Sequence, residues 1–102
     1  MKLRPEVQLF SEAMEERLRA NDHKGGWDEC GTPWLLKRLR DEVNELAGVV
    51  NAEPIPYRGG ALAVWRGNAL HEAADVANFA MMIADVSGAL RAEADDEAGE
   101  EG

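Results

Sequence analysis

Cysteine occurs once in this 102-residue chain, histidine twice, and aromatic residues make up only 6%. A lone Cys30 excludes an intrachain disulfide and fits a reducing compartment, so the expected location is the cytoplasm. The opening segment MKLRPEVQLF lacks the apolar core of a signal peptide, and no apolar run reaches the length needed to span a bilayer. Membrane partners are therefore not expected. Alternating strand-like runs between turn pairs are missing too, as is any internal repeat. Positive charge is scarce: 11 Lys and Arg stand against 20 Asp and Glu, a net charge of -9. A surface built to grip nucleic acid needs the reverse balance, so a nucleic-acid partner is not expected.

The acidity is uneven. Residues 93–102 read EADDEAGEEG and hold six acids and no base, the composition of a solvated, disordered tail. The first 92 residues keep 14 acids against 11 bases and form the one expected domain, small enough that a second subunit would help bury its core.

What the body does contain is helical periodicity. Val7, Phe10, Met14 and Leu18 recur at steps of three and four behind Pro5, predicting an amphipathic helix over about 5–21. The loop NDHKGGWDECGT follows, and Thr32 before Pro33 reads as a cap and a helix start. Leu35, Leu39, Val43, Leu46 and Val50 carry a second helix to about residue 51. The segment NAEPIPYRGG breaks it, with two prolines and two glycines. A third helix is predicted from 62 or 68 to 92. Its middle, VANFAMMIA, is apolar on nearly every side, which predicts burial between subunits. The expected fold class is all-α, a helical bundle completed by oligomerisation.

Two acidic pairs stand out on these helices. Glu42 and Glu45 lie three apart on the second helix, as do Glu72 and Asp75 on the third, so each pair projects from one side. In a chain this acidic, such a pair is more often a solvated face than a ligand set. Glu72 and Asp75, however, lead straight into the apolar run, where uncompensated charge is costly. If the helices pack side by side, the four carboxylates converge and call for a cation. Oxygen-only ligation suits Mg²⁺, with Mn²⁺ as a substitute, and suits zinc poorly. A di-iron carboxylate bundle would need Glu-x-x-His on two helices, and His71 sits beside Glu72 rather than three residues on.

The two motifs, in the strings RLRDEVNELAG and HEAADVANFAMMIAD, resemble those of the MazG-like all-α nucleoside triphosphate pyrophosphohydrolases, which carry E-x-x-E on one helix and E-x-x-D on the next. Trp27, Asp28 and Thr32 echo the W-D-x-x-x-T segment that precedes the acidic helix in that family, and the resemblance spans about residues 23–88. Where the family often opens its first motif with two glutamates, the leading one here is Asp41.

The resemblance implies hydrolysis of a nucleoside triphosphate to the monophosphate and pyrophosphate by a homodimer or homotetramer. Small stand-alone members are bacterial and phage proteins that adjust deoxynucleotide pools, so a purine deoxynucleotide such as dGTP is the expected substrate. Mg²⁺ held by Glu42, Glu45, Glu72 and Asp75 would orient the α-phosphate, with Glu42 or Glu45 handling the attacking water.

Around the acids, Lys24, Arg58 and Arg66 are candidate phosphate contacts, while Lys37 and Arg38 read first as intrahelical partners of Asp41 and Glu42. Trp27 is a candidate for stacking on a base, with Asn78 reading its edge and Phe79 lining the pocket. Trp34 could stack in the same way or, like Trp27, plug the end of the bundle; Trp65 reads as packing, His23 as an exposed loop residue, and Cys30 as chemically idle. The competing expectation is a non-catalytic oligomerisation or regulatory module with a residual acidic metal-binding patch.

Overall fold

A computed structural model describes residues 1–54 and 60–90. Arg58 and the acidic tail 93–102 lie outside these described residues. Within them the chain is all-helical: α1 covers Pro5–Ala20, a 3₁₀ turn covers Asp22–Lys24, α2 covers Thr32–Asn51 and α3 covers Ala61–Val86.

Each boundary has a local cause. Pro5 opens α1 after an extended Arg4, where its missing N–H costs nothing. The cap of α2 falls one residue earlier than predicted. Thr32 is already helical, Gly31 takes the N-cap position with extended dihedrals, and no side chain caps the end. Gly25, at φ 91°, turns the chain out of the 3₁₀ turn in the left-handed region that favours glycine. α3 begins at Ala61, close to the earlier of the two expected starts, and ends at Val86; a turn at Ser87 and Gly88 interrupts it before residues 89–90 are helical again, and 91–92 lie outside the described residues.

The central element is α3, against which both α1 and α2 pack without packing on one another. Cross-helix contacts set the directions. On the α2 side, the Trp65 indole N–H donates to the Val49 carbonyl at 2.7 Å, and the Arg38 guanidinium lies 5.2 Å from the centre of the Phe79 ring. Positions rising along α2 thus meet positions falling along α3, which makes the pair antiparallel. On the other flank, Asn78 Nδ2 donates to the Met14 carbonyl and Arg17 reaches Asp75. α1 is likewise antiparallel to α3.

The core of this arrangement is thin. Leu35 and Ala74 are fully buried and Ala13 nearly so, and these are the buried apolar side chains among the described residues. The apolar repeat read along α2 splits in two. Leu35 faces α3, whereas Leu36, Val43 and Val50, spaced by seven, stay exposed. Val7 of α1 and Val64 and Leu70 of α3 are exposed as well. The VANFAMMIA segment is mostly half-buried within the single chain.

Candidate metal and ligand cleft

α3 forms the floor of a cleft of about 430 Å³ whose walls come from α1, α2 and the 21–30 connection. Glu42, Glu45 and Glu72 meet there: one oxygen of each lies within 4.8 Å of the others. The convergence follows from the antiparallel α2/α3 pairing, which brings the middle of one helix against the middle of the other. Glu42 is 6% exposed, Glu72 half-buried and Glu45 open to solvent.

Three carboxylates this close repel one another unless protons or cations intervene. Oε1 of Glu42 accepts a 3.0 Å bond from Arg38 Nη2, but its Oε2 is buried without a partner, as is Oε2 of Glu72. Burial is the first reason that the Glu42 carboxyl is pushed up to about 7. Glu45, close enough to share a proton with it, and the charge of Asp75 add to the shift, while Arg38 opposes it. Glu72 is raised by burial and then by Glu45 and Asp75. An all-oxygen donor set with two buried, unpartnered carboxylate oxygens fits a hard divalent ion, which would satisfy both.

Asp75 lines the same cleft but stands apart from the triad. Its two oxygens accept from Arg17 Nε and Nη2, both at 3.0 Å. That bond is the main reason the Arg17 guanidinium is raised, with Glu72 and Glu42 adding to it against the cost of burial. Arg17 escaped the reading of the sequence, although a signal existed. It lies three and seven residues after Met14 and Phe10, so a charged side chain shares the face that α1 turns to its neighbours.

The remaining candidates divide. Lys24, Trp27, Asn78 and Phe79 all line the cleft, together with Trp34 and Cys30. Trp34 is half exposed rather than packed away. Trp27 is fixed by its indole N–H, which donates to Asp85 Oδ2 at 2.9 Å. Asn78 is 3% exposed; its Nδ2 is committed to Met14, and its Oδ1 is buried without a partner. Arg66 is exposed and does not line the cleft. Asp41 pairs with Lys37 at 3.4 Å and Arg38 at 3.1 Å, so Lys37 has the intrahelical role expected of it. Arg38 does more, bridging Asp41 and Glu42 while covering Phe79. His23 and His71 are exposed. No described helix is long and apolar enough to cross a membrane.

Compared with known proteins, the chain matches no family model, no curated protein and no solved structure.

Proposed function

We propose that the chain is a metal-dependent pyrophosphohydrolase of the MazG-like all-α kind, cleaving a nucleoside triphosphate to its monophosphate and pyrophosphate in the cytoplasm. The observation that carries this reading is the convergence of Glu42, Glu45 and Glu72 from two helices, with two carboxylate oxygens buried and unpartnered. A structural acidic face would be solvated and would leave no such atoms. Bound Mg²⁺, or Mn²⁺ in its place, would neutralise carboxylates and phosphates together and polarise the α-phosphorus.

The chain's own groups supply the rest. Glu42 and Glu45, beside the ion, are the carboxylates placed to orient or deprotonate the water that attacks the α-phosphorus. Glu45, at the exposed edge of the triad, passes the water's proton to solvent. The bond from the α-phosphorus to the bridging oxygen breaks, and pyrophosphate leaves. Lys24 lines the cleft as a cation for the departing phosphates, and the faces of Trp27 and Trp34 bracket the space for a planar base. A purine deoxynucleotide is the substrate class we favour.

The exposed stripe of Leu36, Val43 and Val50 on α2 supports a homodimer or homotetramer, because heptad spacing is what a helix uses to face another helix. The same stripe is the observation that favours the second reading, a non-catalytic assembly module with a residual acidic patch.

One experiment separates the two: a panel of ribo- and deoxynucleoside triphosphates with Mg²⁺ or Mn²⁺, scoring monophosphate and pyrophosphate, on the wild type and Glu72→Ala. Metal-dependent pyrophosphate release that the substitution abolishes is the expected result. Turnover of no triphosphate leaves the assembly module standing, and turnover indifferent to Glu72→Ala removes the acidic triad from the reaction.

A further inference from the structure

α1 brings no carboxylate to the cleft. What it brings is Arg17, whose guanidinium spans both oxygens of Asp75 with two bonds of 3.0 Å. Among the described residues, Arg17 and Arg38 are the two guanidiniums that line the cleft, and they are held differently. Arg38 belongs to the same helix as its partners Asp41 and Glu42 and lies over the Phe79 ring. Arg17 reaches across from a different helix to a single carboxylate, with its side chain 31% exposed.

The three clustered carboxylates begin one helical turn from Asp75, since Glu72 precedes it by three residues. A divalent ion seated among them therefore sets a double positive charge close to Arg17. The Asp75 carboxylate is then drawn by two competing cations, and the smaller, doubly charged one attracts it more strongly at equal distance. A guanidinium freed from its partner keeps a planar fork of donors suited to phosphate oxygens and still lines the cleft.

We propose that Arg17 is an exchangeable counter-cation: it occupies Asp75 until a divalent ion arrives, gives up that carboxylate to the ion, and then grips the phosphates of the incoming substrate. This inference rests on the divalent-ion reading of the triad given above.

The exchange has a mechanical consequence. α1 is tied to α3 by two polar contacts one turn apart, Arg17 to Asp75 and the Met14 carbonyl to Asn78. Removing the first loosens α1, and a bound phosphate chain ties it down again through Arg17. Ion and substrate thus have opposite effects on the same helix, and the ion binds first.

Hydrogen exchange of the full chain, followed by mass spectrometry, tests this directly with Mn²⁺ and inorganic tripolyphosphate as probes. In the wild type, amide exchange across α1 should rise severalfold on adding Mn²⁺ alone and fall again with Mn²⁺ and tripolyphosphate together. Calorimetry on Arg17→Lys supplies an independent arm, since lysine keeps the charge but loses the two-pronged hold. That variant should bind Mn²⁺ about three- to tenfold more tightly and tripolyphosphate about tenfold more weakly. Mn²⁺ binding that leaves α1 exchange unchanged or slower, or an unaltered Mn²⁺ affinity in Arg17→Lys, overturns the exchange while leaving the metal site intact. A wild type that binds no Mn²⁺ overturns the metal site and the exchange together.

Discussion

One turn of α3 separates Glu72 from Asp75, and the two carboxylates lie in opposite circumstances. Glu72 points toward α2, where Glu42 and Glu45 already crowd the space, and one of its oxygens is buried without a partner. Asp75 points toward α1, where both of its oxygens are met by Arg17. The difference lies not in the residue or its spacing but in which neighbouring helix faces it. On the α2 side negative charge accumulates until something must neutralise it; on the α1 side the neutralising group is part of the fold. Removing an acid should therefore have opposite consequences on the two sides.

The largest effect should fall on ion binding. Glu72→Gln removes one of three clustered donors and is expected to weaken Mn²⁺ binding about a hundredfold or more by calorimetry, since losing even a group that only supports a metal ligand costs about 10- to 100-fold. Equal affinity in the variant would remove Glu72 from the site.

Next comes the pH dependence of the ion-free protein. Glu42 is raised from 4.5 to about 7 and Glu72 is raised in the same direction, so the folded chain holds protons that the unfolded chain releases. Stability should then be greatest near the bottom of that window and decline as pH rises through about 7. A loss on the order of 2 kcal/mol between pH 5 and pH 8 is expected in urea melts. Saturating Mg²⁺ should erase the slope, and Glu42→Gln should flatten it without any metal. A stability that climbs with pH would contradict the burial of Glu42.

The comparison itself breaks or holds on a pair of variants one turn apart. Asp75→Asn strips Arg17 of its partner and should cost about 1–2 kcal/mol in the absence of metal, a modest figure because both side chains retain some solvent. Glu72→Gln relieves repulsion and should stabilise the ion-free chain by about 1 kcal/mol. Thermal melts of the same sign for both variants would erase the distinction between the two sides. The smallest effect concerns the connection that carries Trp27. Gly25→Ala, at φ 91° with open space around its Cβ, should cost about 1 kcal/mol through backbone strain alone.

The sequence-to-structure relation is uneven for physical reasons. Pro5, the Gly-rich loop and the NAEPIPYRGG break are local signals, and the helices sit where they point. The acidic triad was legible because i, i+3 spacing fixes which side chains share a face. Spacing alone does not say which neighbour that face will meet. Leu35 and Val43 were read as one stripe, yet 3.6 residues per turn carries the stripe around the helix until only part of it touches α3. Likewise Asp75 carried the spacing of a ligand, while its partner Arg17 is 58 residues away in sequence and became visible only once α1 was laid against α3. Arg66 had the right chemistry and the wrong direction, which no composition reveals.

The Trp27 indole offers a last consequence. Its single hydrogen-bonding atom is already spent on Asp85, so the ring can meet a ligand only with its π face, and every planar heterocycle presents a comparable face in return. On the proposed reading Trp27 would register that a flat ring has arrived without carrying information about which ring it is. The discriminating group has to be one whose polar capacity is still open. The Asn78 amide is tied to α1 through Nδ2, while its Oδ1 is buried without a partner, and on the proposed reading that oxygen would be the acceptor for a ligand's N–H. Under that reading the cleft would treat size and aromaticity as a common entrance requirement and draw its finer distinctions at Asn78.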